Sequence, residues 1–176
     1  DRSWVAKEVA VSGSLKPSML ASPQIAPHVD RCLGSKPTRW KRGDFPHERG
    51  VNIEGLAILG NRLFIGFRGP VLHGGTAYMM AFDRDAVFAK DGPPAVTIPL
   101  ALGEGMGVRD LAAVAGGLLV LSGPEDDEPG KAAIHFFNAA DNKVTRLGAV
   151  PDPAEGGKPE VLLLLEETAA AFRVLI

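Results

Sequence analysis

Apolar residues in this chain fall at every second position in short runs, and the runs come in sets. Leu56 and Ile58, then Leu63, Ile65 and Phe67, alternate with small or polar residues on either side of Gly60-Asn61. Period-two alternation puts one set of side chains on each face of a strand, and Gly-Asn is a turn dipeptide, so residues 52–70, NIEGLAILGNRLFIGFRGP, predict a hairpin. A glycine-rich link over 71–75 leads to another alternating run, TAYMMAFD at 76–83, and the chain then passes through 83–94 to a fourth strand at 95–100.

The set recurs. Val108-Arg109-Asp110-Leu111-Ala112 matches Ile53-Glu54-Gly55-Leu56-Ala57 in shape, Gly116-Gly117 takes the place of the Gly60-Asn61 turn, and residues 118–121 take the place of 63–67. Ser122-Gly123-Pro124 stands where Arg68-Gly69-Pro70 stood, KAAIHFFN at 131–138 where TAYMMAFD stood, and 142–147 predicts a fourth strand. A third copy opens at Lys158-Pro159-Glu160-Val161-Leu162, with strands expected at 161–165 and 169–176 joined at Glu166-Glu167. Counted on the acidic residues Glu54, Asp110 and Glu160, the openings are 56 and 50 positions apart, a period that belongs to propellers and arrays. A sandwich has no reason to repeat its strand order at constant spacing. The expected fold is therefore all-β, a partial β-propeller of four-stranded antiparallel blades, about two and a half of them, with no place for helices. Propellers close with about four to eight blades, so the chain is expected to be truncated at its C-terminus or to belong to a larger assembly.

Residues 1–49 break the pattern. One strand is predicted at 4–11, with Val5, Val9 and Val11 at mostly alternate positions. After it, Pro17, Pro23, Pro27, Pro37 and Pro46 interrupt any sustained period, which predicts a long loop. Arg39-Trp40-Lys41-Arg42 and His47-Glu48-Arg49 make that loop basic; a solvated loop is favoured over an anion-binding flap.

Composition narrows the function classes. Glycine at 21 and proline at 14 residues, with aromatics at only 6%, favour many short elements separated by turns. A net charge of −2 over 176 residues gives no support to a nucleic-acid surface. The apolar runs at 111–121 and 161–165 fall short of the roughly 20 residues a membrane span needs. Cys32 is the single cysteine, so an internal disulfide is excluded, and a bystander thiol is favoured over a nucleophile. The compartment, cytoplasmic or periplasmic, stays open, and the initial Asp1 is read as a processed or excised start.

NIEGLA at 52–57, FRGP at 67–70, GVRDLA at 107–112 and SGP at 122–124 resemble the bacterial domain-of-unknown-function family numbered 3616, over roughly residues 50–176. Val161 departs from the pattern, which has glycine there in the later opening. The resemblance implies propeller architecture and a distant likeness to phytase-like and esterase-like propellers. It implies no reaction.

Candidate chemistry follows from the repeat. If Leu56, Leu111 and Val161 begin inner strands, then Glu54, Arg109, Asp110 and Glu160 converge at one mouth of a central channel. Glu54, Asp110 and Glu160 offer oxygen ligands to a hard cation such as Ca²⁺, and Arg68 and Arg109 offer bidentate contacts to a small phosphate or carboxylate. The plainer alternative is that these charges pair with one another and hold adjacent blades together. His28, His47, His73 and His135 show no zinc spacing; His73, a few residues after Arg68-Gly69-Pro70, is a candidate acid or base, with a solvated turn histidine favoured. The acidic run 125–128 reads as a solvated turn. Residues 55–62 and 103–107 mimic phosphate-binding loops without their full signatures, and no G-x-S-x-G elbow is present, so Ser12, Ser14 and Ser122 show no local sign of activation. Two functions follow. A scaffold binding a small anionic ligand or a protein partner is favoured, and a Ca²⁺-dependent hydrolase of phosphate or carboxylic esters is the alternative.

Overall fold

The computed structural model describes residues 10–31, 50–72, 74–89, 94–126, 130–151 and 157–176. The basic segment 39–49, Cys32, His47 and His73 lie outside these residues, as does most of the strand expected at 4–11. Ala10 and Val11, which are described, adopt no regular structure.

Among the described residues, ten strands follow a short helical segment. The first four are β1 (Asn52–Leu59), β2 (Arg62–Gly69), β3 (Thr76–Asp83) and β4 (Val96–Ala101), which pair antiparallel in chain order as the first sheet. The second sheet repeats that order with β5 (Met106–Val114), β6 (Gly117–Pro124), β7 (Ala133–Asn138) and β8 (Val144–Ala149). A two-stranded third sheet contains β9 (Leu163–Glu167) and β10 (Phe172–Leu175). The first hairpin turn is Gly60-Asn61, between the paired Leu59 and Arg62, and the second differs by one residue from the sequence reading: Gly117 pairs with Val114, so that turn is Ala115-Gly116, with Gly116 at φ 75°. The β9–β10 connection runs through residues 168–171, where the Thr168 hydroxyl accepts from the Ala170 and Ala171 amides. Glu166 and Glu167 are strand residues, paired with Arg173 and Phe172.

Helices do have a place. α1 (Leu15–Ala21) and a 3-10 turn at Ala26–His28 occupy the stretch read as loop. Pro17 lies in the first turn of α1, where a missing amide costs no intrahelical bond. Met19 and Ile25 are buried against Ile65, Phe67, Tyr78, Met80 and Phe82. This cover explains β3. Its residues 77, 79 and 81 face the second sheet and 78, 80 and 82 face the helical segment, so both parities are apolar.

The first and second sheets pack face to face through one core that includes Phe64, Met79, Leu100, Val108, Leu111 and Phe137, all almost fully buried. Phe64 and Phe137 meet edge to face with centroids 6.2 Å apart. The other face of the second sheet is covered by the third, where Leu162, Leu164, Phe172 and Val174 meet Leu119, Leu121 and Phe136. The approach of β5 to β1 and β2 is closest at three glycines. A Cβ on Gly55 would stand 2.8 Å from Leu111 Cγ and 2.9 Å from Val108 Cγ1; one on Gly66 would overlap Val108 Cγ1; one on Gly107 would overlap the Arg68 carbonyl.

Gly66→Ala is therefore expected to lower stability by about 2 kcal/mol through overpacking, and Val108→Ala in the same chain should recover part of that loss. Chemical denaturation of the two single variants and the double variant checks this; strictly additive losses would show that the Gly66–Val108 contact does not set the sheet spacing.

Candidate functional site: a charged clasp between sheets

The ladder breaks where the first two sheets meet. Pairing of β1 with β2 passes from Asn52↔Gly69 to Ile53↔Phe67 to Gly55↔Gly66, so the register passes over Arg68 and Glu54. Pairing of β5 with β6 skips Arg109 in the same way, between Val108↔Ser122 and Asp110↔Leu121. A bulge residue is re-aimed relative to the pleat, and these three side chains come together. Glu54 Oε1 accepts from Arg68 Nη1 at 3.0 Å and Glu54 Oε2 from Arg109 Nη1 at 2.8 Å.

The clasp is mostly out of water. The side chains of Arg109 and Arg68 are 2% and 7% exposed, and that of Glu54 is 25% exposed. Arg68 also donates from Nε to the Pro124 carbonyl and from Nη2 to the Asp126 carbonyl, at 3.2 and 2.6 Å, so it ties the first sheet to the end of β6. Asn52 Nδ2 donates to Glu54 Oε1 at 3.2 Å. Arg109 lies over Gly123, where any Cβ would come within 3.0 Å of its Nε, and that Nε is buried with no hydrogen-bond partner among the described residues. A buried guanidinium requires a counter-charge, and one carboxylate serves two here.

Asp110 and Glu160 take other positions. Asp110 Oδ1 accepts from its neighbour Leu111 N at 2.8 Å, and Oδ2 from Leu162 N at 2.7 Å, which attaches the third repeat to the second. Glu160 is exposed. Of the five candidate residues, Glu54, Arg68 and Arg109 are brought together, while Asp110 and Glu160 stand apart from the clasp. Among the described residues no group of three or more His, Cys, Asp or Glu side chains is placed to hold a metal ion. The cause lies in the register. Arg109, not Asp110, occupies the bulge position that Glu54 occupies in the first repeat, so the acidic residues do not form a ring.

The burial of three polar residues escaped the sequence reading. Glu125, expected in a solvated turn, is 6% exposed and its Oε1 accepts from Val71 N at 3.1 Å; nothing local marks it, because its partner is far away in sequence. Asp127 and Glu128 lie outside the described residues. Ser122 and His135 are also buried, with Ser122 Oγ 3.0 Å from His135 Nε2 and 3.3 Å from the Ala133 carbonyl. With the hydroxyl donating to that carbonyl, Nε2–H donates to the hydroxyl and Nδ1 is an unprotonated acceptor without a partner among the described residues. Burial, and next the positive charge of Arg146, hold the His135 pKa below its ordinary 6.5. The pair resembles a nucleophile and base in distance alone, since neither group meets solvent.

A cleft of about 440 Å³ lies elsewhere, between α1 and the segment after β3, lined in part by Ser14, Pro17, Phe82, Asp83, Val87 and Phe88. Its carboxylate, Asp83, accepts from the Asp85 and Ala86 amides and from Asn61 Nδ2, a turn-closing role.

Residues 45–153 match the family model described as "Protein of unknown function (DUF3616)", and the chain belongs to that family. No curated protein and no solved structure matches it.

Glu54→Gln removes the carboxylate charge that both guanidiniums contact and is expected to cost about 3 kcal/mol. A double-mutant cycle with Arg109→Met should show coupling above about 1 kcal/mol, measured by denaturation; independent effects would mean that the clasp does not join the sheets. For His135 the unfolded state takes up its proton first, so its contribution to stability is intact above about pH 6.5 and declines as pH falls from there toward the lower folded pKa. Urea titrations across that range should show a shallower decline for His135→Gln than for the wild type.

Proposed function

We propose that the sheets are successive blades of a β-propeller-type scaffold that works by binding, with the Arg68–Glu54–Arg109 clasp near the mouth of the channel. Two in-order antiparallel meanders packed face to face, with β1 and β5 adjacent, support the blade reading. The observation that carries binding over chemistry is the commitment of the acidic groups. Both Glu54 oxygens hold guanidiniums and both Asp110 oxygens hold backbone amides. A calcium-dependent hydrolase using these carboxylates would have to break the bonds that join its own sheets.

One observation favours a small anionic ligand at the same junction. Arg109 Nε is a buried donor without a partner among the described residues, and a phosphate or carboxylate entering beside the partly exposed Glu54 would meet two guanidiniums. That ligand would bind without being transformed, because no nucleophile stands in the clasp.

Excess calcium chloride is expected to leave the melting temperature unchanged, and p-nitrophenyl phosphate and p-nitrophenyl acetate to remain unhydrolysed with or without it. A calcium-dependent rise in melting temperature, together with turnover, both lost in Asp110→Asn, would overturn the scaffold reading. Calorimetric titration with inorganic phosphate at fixed ionic strength tests the anion: saturable heat supports it, and none removes it.

A further inference from the structure

Glu54 has little acceptor capacity left after the clasp is made, and what remains is on one oxygen. An ionised carboxylate offers about four lone-pair sites. Among the described residues, Arg68 Nη1 and Asn52 Nδ2 take two on Oε1, at 3.0 and 3.2 Å, and Arg109 Nη1 takes one on Oε2, at 2.8 Å. The remaining site belongs to Oε2. That oxygen is bonded to the same guanidinium whose Nε is buried without a partner among the described residues. One ion pair therefore carries an open acceptor on its acid and an open donor on its base, joined through the planar Arg109 guanidinium.

Exposure fixes the order in which a ligand meets these groups. The Glu54 side chain is 25% exposed, whereas those of Arg68 and Arg109 are 7% and 2% exposed. The carboxylate is the member of the clasp that meets water, and the guanidiniums lie deeper. Gly123, which brings no side chain of its own, lies against Arg109 Nε. An anion moving toward Arg109 thus encounters a negative charge before it reaches a positive one. Coulomb repulsion opposes that approach. An anion that carries an O–H is different, because the same encounter becomes a charge-assisted hydrogen bond to the carboxylate.

We propose that the clasp selects oxyanions that bring their own hydroxyl: hydrogen phosphate, or a carboxylate with a hydroxyl on the adjacent carbon. The ligand O–H donates to the open site on Glu54 Oε2, and a ligand oxygen accepts from Arg109 Nε. Sulfate and simple carboxylates carry no such donor near neutral pH and present only charge to Glu54. A site built to pair with a hydroxyl rejects the analogue lacking it, because its own polar group is then left without a bond. Glu54 is thereby the residue that decides specificity. The selectivity rests on the anion-binding reading of the clasp and adds to it the chemical class of the ligand, which is held without any bond being made or broken.

Calorimetric titration of the chain with matched pairs of ions tests this, phosphate against sulfate and glycolate against acetate, at neutral pH and fixed ionic strength. Phosphate or glycolate is expected to bind about tenfold or more tightly than its partner, the size of one hydrogen bond to a charged group. The pair that shows the preference names the source of the hydroxyl. Glu54→Gln replaces one acceptor oxygen by an amide that donates, so the folded variant should take sulfate as tightly as phosphate and acetate as tightly as glycolate. Where that variant does not fold, the wild-type preference decides alone. Equal affinity within both pairs, or tighter binding of the ions without a hydroxyl, overturns the selectivity and leaves the anion reading standing. No saturable heat with any of these ions removes the anion reading and the selectivity together. A preference that persists unchanged in folded Glu54→Gln overturns the part given to Glu54.

Discussion

The structure depends on how closely β5 approaches β1 and β2. Gly107 lies against the Arg68 carbonyl, and Val108 and Leu111 fill the space that side chains on Gly55 and Gly66 would otherwise take. At that distance water is excluded from the junction, and any charge there must find its partner within the protein. Three bulged residues meet this requirement. Glu54, Arg68 and Arg109 turn out of their ladders at the same level, and one carboxylate closes the gap between two sheets. The glycines and the ions are therefore one device: the first permits the approach, and the second makes it tolerable.

Much of the architecture was legible because both signals are local. Alternation over 52–70 and 76–83 and the recurrence of that set from 106 onward correspond to β1–β3 and β5–β7 with little displacement. The helix at Leu15–Ala21 was not legible, since Pro17 and Pro23 suggest broken structure while the burial of Met19 is decided by the sheet it covers. The charged residues were found, but their grouping was misjudged for a specific reason. Counting from acid to acid gives spacings of 56 and 50, whereas matching the two openings residue by residue sets Glu54 against Arg109 and Gly55 against Asp110, and the ladder follows that second match. Bulges cannot be read from composition, and a single-residue shift on a strand exchanges one face for the other. The same shift turned an expected acidic ring into an ion clasp plus a backbone anchor.

Each repeat uses its opening acid to hold its successor by different chemistry. Glu54 reaches the second sheet through a guanidinium, and Asp110 reaches the third through the Leu162 amide. Glu167 adds a second attachment, accepting from Ala115 N through both oxygens at 2.9 and 3.2 Å. The first junction holds an ion pair whose Arg68 is also bonded to the Pro124 and Asp126 carbonyls. The second has a smaller partner sheet and relies on neutral amide donors, which carry less desolvation penalty when partly exposed. Repetition of fold thus does not require repetition of contacts.

Distinguishing a strut from a site turns on spare capacity. A carboxylate that binds a ligand needs lone pairs left over after the fold is satisfied, and Glu54 faces two guanidiniums and the Asn52 amide. Ser122 and His135 fail by a different criterion: the geometry is suitable, but the pair is sealed, and burial keeps the imidazole neutral. In the clasp, Arg109 Nε is buried and has no hydrogen-bond partner among the described residues. An unpaired donor on a charged side chain costs more than an unpaired neutral one, so the clasp has one energetic deficit, and it is of the sign that an anion corrects. The cluster is therefore a clamp by construction, and among the described residues Arg109 Nε is the buried donor through which it could recognise an anion.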